Sequence, residues 1–146
     1  MIAFDGPVWR LLDTQSIDAP ISPVKSPEGR FHHAGQTAVY ASLSAEGAGV
    51  AIQRYLTDGV QRMLVPLWLD ASLVVDHRGD PAASIVWQDI RATGAASPTW
   101  SFSDKARMAG GQAMLYSSRS HPDLGHVVVF DPACLKSAGA PTPFTP

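Results

Sequence analysis

Short apolar runs separated by turn-forming residues make up most of this chain. Runs rich in valine, isoleucine and aromatic residues, bounded by glycine, proline or aspartate, predict β-strands. The pattern predicts strands at residues 8–12, 37–42, 61–68, 72–75, 113–116 and 126–130. A turn at 69–71 is expected to separate the third of these strands from the fourth.

Three other segments carry the start and stop signals of helices. The first helix is predicted over residues 45–58, ended by Gly59 and weakened by two internal glycines at about 1 kcal/mol each. Asp80-Pro81 and Ser97-Pro98 each place a capping side chain before a proline, which is a common helix start. These two helices are predicted to end near Ala92 and Met108, just before glycines.

Strands and helices follow one another without the regular alternation that a parallel sheet requires. The predicted fold class is therefore α+β, with mixed small sheets and flanking helices. Residues 1–137 are assigned to one domain, and residues 138–146, which contain three prolines, to a C-terminal tail. The proline-rich connection over residues 13–29 is predicted to be a loop or an extended arm.

Composition and charge narrow the classes of function. Apolar residues form 45% and charged residues 16% of the 146 residues, which is typical of a globular domain. The formal net charge is -2 and the basic residues are scattered, so we expect no direct binding to nucleic acid. The single cysteine, Cys134, permits neither an intrachain disulfide nor a zinc site built from cysteines.

No targeting or membrane segment is evident in the sequence. Residues 1–7 have neither a basic region nor a cleavable apolar core. The longest apolar stretch, residues 63–75, is interrupted by Pro66 and Asp70 and is too short to span a bilayer. We therefore expect a cytoplasmic protein that has no membrane partner.

Arg30, Tyr40 and Ser118 are the candidate binding residues, because each lies in or beside a predicted strand. A guanidinium group can bind phosphate bidentately, an aromatic ring can stack on a flat heterocycle, and a hydroxyl can bond a phosphate or ribose oxygen. Each residue also has an ordinary structural explanation, as a surface arginine, a core tyrosine and a turn-capping serine. Placed together, they would suit a phosphate-bearing ligand.

The histidines give no metal motif. His32 and His33 are adjacent and would point to opposite faces of an extended segment, so they cannot easily share a metal. His121 and His126 lack the spacing of a known zinc motif, and we predict no metal site. His33 is a candidate for orienting a ribose hydroxyl. Glycine-rich phosphate loops and nucleophile-elbow motifs are also missing from the sequence.

Taken in order, these segments resemble the RES-domain family over most of the chain. Members carry an arginine in a Gly-Arg-aromatic segment, then a glycine and a Val/Leu-Tyr strand. Near the end they have a Tyr-x-Ser-Arg segment that precedes a Val-Val-x-Phe strand. The corresponding segments here are Gly29-Arg30-Phe31, Gly35, Val39-Tyr40, Tyr116-Ser117-Ser118-Arg119 and Val127-Val128-Val129-Phe130.

The resemblance implies a fold, a substrate and a partner. RES domains are similar in fold to ADP-ribosyltransferase toxins of the diphtheria type, so an ADP-ribosyltransferase-like fold is expected. Members are usually encoded beside an Xre-like antitoxin that covers the NAD⁺ cleft. Some members destroy NAD⁺, and others transfer its ADP-ribose to a protein, phosphoribosyl pyrophosphate synthetase being a known type of target.

Matching positions carry the family's site onto this chain. Arg30 would hold the pyrophosphate or the nicotinamide ribose, Tyr40 would stack on nicotinamide, and Ser118 would contact the substrate near the ribose. The expected set of NAD⁺-binding residues is completed by their neighbours Phe31, His33 and Arg119.

One position departs from the family pattern. A glutamate usually follows the tyrosine by about eleven residues, and Ala51 stands there, or Gln53 if the alignment shifts by two. A carboxylate at that place would stabilise the positive charge that develops on the ribose as nicotinamide leaves. Gln53 is therefore expected to supply a polar contact instead. Either another group stabilises the charge, or the chain carries an inactivating replacement.

Three functions follow, in order of preference. The first is a toxin that transfers ADP-ribose from NAD⁺ to a host protein, and the second is an NAD⁺ glycohydrolase or phosphorylase toxin. The third is a binding module that keeps the cleft and acts through protein contacts. The missing acid counts most against hydrolysis, because water must be activated.

Overall fold

One long strand organises the sheet of this protein. The computed structural model describes residues 1–53 and 57–145. Strand β3, Arg62–His77, pairs antiparallel with β1, Ile2–Asp13, along most of its length. The end of β3 pairs parallel with β4, Ala113–Ser117. β3 therefore joins the N-terminal strand and the strand at residues 113–117 in one sheet.

The turn predicted at residues 69–71 is wrong, since β3 continues through it. Asp70 is exposed, whereas Leu69 and Ala71 on either side are buried. This alternation is typical of a strand with one solvent-exposed face. Asp70 lies opposite Asp5 of β1, so the strand pairing keeps the segment extended.

The remaining strands complete one seven-stranded sheet. They are β2, Val39–Ser42; β5, Gly125–Val129; β6, Leu135–Ser137; and β7, Thr142–Pro143. The strand order is β1-β2-β5-β4-β3-β6, and β1 pairs in addition with β3. The α+β class is confirmed, whereas the expected small sheets are in fact one mixed sheet among the described residues. β7, within the predicted tail, pairs with β3.

Within the described residues, three α-helices accompany the sheet: α1, Ala45–Ala51; α2, Trp87–Ala92; and α3, Thr99–Met108. α1 begins as expected, with the Ser44 side chain accepting a hydrogen bond from the Gly47 N–H. It ends at Ala51 and not at 58, and part of the predicted helix, residues 54–56, lies outside the described residues.

The helix predicted from Asp80-Pro81 to Ala92 is split in two. The start signal is correct, since the Asp80 side chain accepts a hydrogen bond from Ala82 N–H and Pro81 opens a 3₁₀ turn, Pro81–Ser84. Ile85 and Val86 are then extended before α2 begins. Both are β-branched, which lowers their helix propensity. The predicted helix stops are confirmed by glycines with positive φ, 85° at Gly94 and 82° at Gly110.

Both faces of the central strands are buried. Along β5, Val127 and Val129 face the main apolar cluster, whereas Val128 faces a second cluster that also contains Phe31 and Met114. Side chains two residues apart on a strand share a face. The second face therefore continues from Val128 to His126 in β5, and to the residues of β2 and β4 that pair with His126. None of the described helices has the length and apolarity needed to cross a membrane.

Candidate functional site

A row of three polar residues crosses the strand ends on the second face of the sheet. His126 of β5 pairs in register with Ser42 of β2 on one side and with Tyr116 of β4 on the other. All three line a cavity of about 550 Å³. That volume is within the range of small-molecule sites, roughly 300–1,000 Å³. The row forms the floor of the cavity.

The structure brings Arg30, Tyr40, Ser118 and Arg119 together around this cavity. The Arg30 guanidinium carbon lies 5.9 Å from the centroid of the Tyr116 ring. Neither guanidinium, of Arg30 or of Arg119, makes a hydrogen bond or ion pair with any residue that the structure describes. Two cationic donors are therefore left facing the same space.

A hydrogen-bonded chain fixes the Tyr40 side chain. His32 Nε2 lies 2.9 Å from the carbonyl oxygen of Ser26, which can only accept, so that nitrogen carries the proton. Burial lowers the pKa of His32, which keeps the ring neutral. Its Nδ1 therefore accepts from the Tyr40 hydroxyl at 2.7 Å, while that oxygen accepts from the Phe31 N–H at 2.9 Å.

This chain decides what Tyr40 can do for a ligand. Its only hydroxyl proton is given to His32, so what Tyr40 has to offer the cavity is mainly its ring. Burial raises the pKa of Tyr40, so the hydroxyl stays protonated. The stacking role predicted for Tyr40 is compatible with this geometry, whereas donation of a hydrogen bond to a ligand is not.

Glycine is required at position 29 by close packing. A Cβ built on Gly29 would lie 2.5 Å from His32 Cε1 and 3.2 Å from the Tyr40 hydroxyl oxygen. Any larger residue would displace the His32 ring and break the chain that holds Tyr40. The glycine before Arg30 thus serves the site through its missing side chain.

Ser118 combines the two interpretations that the sequence left open. Its Oγ accepts a hydrogen bond of 3.2 Å from the His121 N–H and so caps the turn after β4. The residue is also 5% exposed and lines the cavity. Because the hydroxyl proton is not used in the turn, Ser118 can still donate to a ligand oxygen.

Phe31 and His33 do not line the cavity, and their predicted contacts with NAD⁺ stay predictions. Phe31 is fully buried and packs edge-to-face on Tyr116, with ring centroids 4.7 Å apart. His33 stacks on Trp100 and lies 2.8 Å from an Asp104 carboxylate oxygen. Each therefore helps to anchor the segment after Arg30.

Of the two positions considered for the missing acid, only one lines the cavity. Ala51, the last residue of α1, lines the cavity. Gln53 is exposed and is absent from the lining, and the polar contact expected from it stays a prediction. The cavity wall thus carries a methyl group at the unshifted family position.

Burial keeps His126 neutral. Its Nδ1 lies 2.8 Å from the Ser42 hydroxyl, and its ring tilts against Tyr116 with centroids 5.4 Å apart. Burial, together with the positive charge of Arg30, lowers the pKa of His126 to about 4. At neutral pH the floor of the cavity therefore presents an uncharged imidazole beside a guanidinium.

This pKa predicts a loss of stability in acid. The folded chain binds the proton less readily than the unfolded chain, whose histidine pKa is about 6.5. The neutral histidine leaves the folded state at its full stability above about pH 6.5, and this stability is lost as the pH falls toward 4. We expect His126 to lower the free energy of unfolding by about 3 kcal/mol between about pH 7 and pH 4. Urea denaturation of the wild type and of His126→Asn at both pH values checks this, since the free energy of unfolding of the variant should fall less.

Arg10 is a buried cation that the sequence did not mark. Its NH1 donates to the carbonyl oxygens of Pro20 and Ser22, at 2.7 and 3.2 Å. Burial lowers the pKa of Arg10 to about 10. The proline-rich connection is thereby tied to β1 next to the cavity, and it is not a free arm at these two residues.

Sequence reasoning missed several residues of the site. His32, Ser42, His126 and Glu28 line the cavity although none was singled out for a ligand. A signal existed for two of them, since Ser42 lies two residues after Tyr40 and His126 two before Val128 on predicted strands, and residues two apart share a face. Within residues 1–53 and 57–145, no group of three potential metal ligands comes together.

Comparisons with known proteins place the chain in a family. A profile of the RES domain matches residues 7–145. Comparison with curated proteins gives no match. Among solved structures, a chain of the crystal structure of the M. tuberculosis MbcT–MbcA toxin–antitoxin complex is similar, with a TM-score of 0.60 and 16% identity. The likeness covers 99% of this chain and 84% of that chain, and at this identity it concerns the fold alone. The profile match over nearly the whole length confirms the resemblance, and this chain belongs to the RES-domain family.

Proposed function

We propose that this chain is the toxin of a toxin–antitoxin pair and that it consumes NAD⁺. The observation that carries the proposal is a pair of guanidinium groups, Arg30 and Arg119, that no described residue binds by a hydrogen bond or ion pair, in one cavity with the ring of Tyr40. Guanidinium groups match the oxygens of a diphosphate, and a tyrosine ring matches a flat heterocycle. A dinucleotide joins these two chemical features in one molecule.

The proposed reaction breaks the bond between nicotinamide and the ribose C1′. Nicotinamide leaves with the bonding electrons as a neutral molecule, and the positive charge passes to the ribose. A nucleophile of an acceptor protein then bonds to C1′ and releases its proton, which gives an ADP-ribosylated protein, nicotinamide and one proton. Arg30 and Arg119 would hold the diphosphate while Tyr40 supports the nicotinamide ring.

The methyl group of Ala51, at the position where the family has a carboxylate, favours transfer to a protein over hydrolysis. Hydrolysis has to activate water beside a developing positive charge, and a carboxylate usually supplies that help. The position that faces the cavity carries a methyl group instead. An acceptor protein brings its own nucleophile and its own positioning, so transfer suffers less from the missing acid.

The partners follow from the same proposal. The similar solved structure is a toxin–antitoxin complex, which supports an antitoxin as partner. We propose an Xre-like antitoxin that covers the cavity, and a host protein as acceptor, with phosphoribosyl pyrophosphate synthetase as a candidate. The reaction would take place in the cytoplasm, where NAD⁺ and such an acceptor meet. An ADP-ribosyltransferase-like arrangement of the sheet is part of the proposal.

Incubation with NAD⁺ labelled on its adenylate, in the presence of a host extract, tests these statements. Label attached to a protein supports transfer, and label released as free ADP-ribose supports a glycohydrolase. Label that stays in NAD⁺, with NAD⁺ still bound, supports a binding module and contradicts the enzymatic proposal. Heat-inactivated protein and the antitoxin-bound protein are the matched controls.

A further inference from the structure

Glu28 is the one carboxylate among the described residues that line the cavity. Arg10, Arg30 and Arg119 line the same cavity. A carboxylate repels phosphate and therefore opposes the binding of a polyanion unless it meets a donor. Its presence beside Arg30 raises the question of which ligand group it contacts.

Arg91 holds this carboxylate in one orientation. The Arg91 Nε lies 3.3 and 3.2 Å from the two carboxylate oxygens of Glu28, and an NH2 contact of 3.2 Å completes the ion pair. Arg91 also donates to the carbonyl oxygens of Gly94 and Ala95, at 3.2 and 2.8 Å, and lies over the Trp100 ring at 5.1 Å. The cation is thus fixed from several sides.

The backbone beside Glu28 is fixed as well. The Trp100 indole N–H donates to the carbonyl oxygen of Gly29 at 2.8 Å. The Thr99 hydroxyl donates to the carbonyl oxygen of Arg30. The corner between α2 and α3 therefore positions Glu28 and Arg30 together, one as an acceptor and the other as a donor.

We propose that Glu28 accepts hydrogen bonds from the hydroxyl groups of a ribose of the bound dinucleotide, and this rests on the proposed function. The carboxylate oxygens have further lone pairs beside those facing Arg91, and the Glu28 side chain is 37% exposed. Ribose hydroxyls are the donors that a dinucleotide offers next to its diphosphate, and carboxylates commonly accept from them. Because Arg91 already balances the charge, Glu28 serves as a hydrogen-bond acceptor and does not replace the missing catalytic acid.

Isothermal titration of NAD⁺ and two analogues tests this inference. One analogue has a 2′,3′-dideoxyribose on the adenosine side, and the other a 2′-deoxyribose on the nicotinamide side. We expect Glu28→Gln to bind NAD⁺ roughly 10- to 150-fold more weakly, as for loss of a charged hydrogen bond. For the analogue that lacks the contacted hydroxyl, the same substitution should cost less than about threefold. Which analogue responds in this way identifies the ribose.

The matched control is Glu46→Gln, since Glu46 is an exposed glutamate of α1 outside the cavity lining and should leave all three affinities unchanged. An equal loss of affinity for all three ligands in Glu28→Gln would show a purely structural ion pair and overturn the inference, as would no loss for any. Should Glu28→Gln not fold, equal affinity of the wild type for all three ligands overturns it too. Wild-type protein that binds no NAD⁺ refutes the proposed function itself.

Discussion

Replacing Ala51 with glutamate is expected to raise NAD⁺ hydrolysis by the isolated protein roughly 10²- to 10³-fold, the usual size of one electrostatic group that faces the reacting centre. Ala51 ends α1 and lines the cavity, so a longer side chain there can reach the ligand. A carboxylate would face the positive charge that forms on the ribose as nicotinamide leaves. Release of nicotinamide from NAD⁺, followed by chromatography, gives the rates.

Gln53→Glu is the matched control, because it adds the same charge two residues away from Ala51 on an exposed residue outside the cavity lining. This variant should hydrolyse NAD⁺ at the wild-type rate. Slow hydrolysis by the wild type is part of the expectation. Fast hydrolysis by the wild type, with both glutamate variants no faster, would show that another residue stabilises the charge and that α1 is not the catalytic helix.

Replacing Arg30 with alanine is expected to weaken NAD⁺ binding about 10- to 150-fold, since a charge-assisted contact is worth about 1.5–3 kcal/mol. The Arg30 guanidinium faces the cavity and makes no hydrogen bond to the described protein residues, so its loss should leave the fold intact. Titration of NAD⁺ measures the affinity, and thermal unfolding shows whether the variant is folded.

Arg78→Ala serves as the control for Arg30→Ala. Arg78 is an arginine on the surface, ion-paired with Asp76 and outside the lining of this cavity, so its removal should not change NAD⁺ affinity. Equal affinities of Arg30→Ala and the wild type would remove Arg30 from the site. A parallel loss in both variants would point to a general effect of net charge.

The strands could be read from the sequence where their signal is local. β4 and β5 lie within one residue of their predicted bounds, because each is a short apolar run closed by turn residues. The continuity of β3 could not be read, since an isolated Asp70 resembles a turn until the pairing with β1 shows its solvent-facing side. The split before α2 falls at Ile85 and Val86, two β-branched residues that the start signal at Asp80-Pro81 outweighed in the prediction.

For the site, the sequence predicted the residue types and not their surroundings. Arg30, Tyr40, Ser118 and Arg119 do share a cavity, and their roles toward NAD⁺ stay predictions. Which of two adjacent histidines faces Tyr40 depends on how the loop after Arg30 turns. In the structure, His32 contacts Tyr40, and His33 contacts Asp104 of α3.

The sequence by itself determined the strands with strong local patterns, the class of the fold, membership in the family, and the arginine, tyrosine and serine that suit a dinucleotide. All of these depend on residue type and on short spacings along the chain. Only the tertiary structure decided that Glu28 is held by Arg91, 63 residues away, and that Ser42 meets His126, 84 residues away. The physical reason is that strand pairing, and the contact of α2 with the loop before Arg30, bring distant segments together, and the pKa and orientation of a side chain depend on those neighbours.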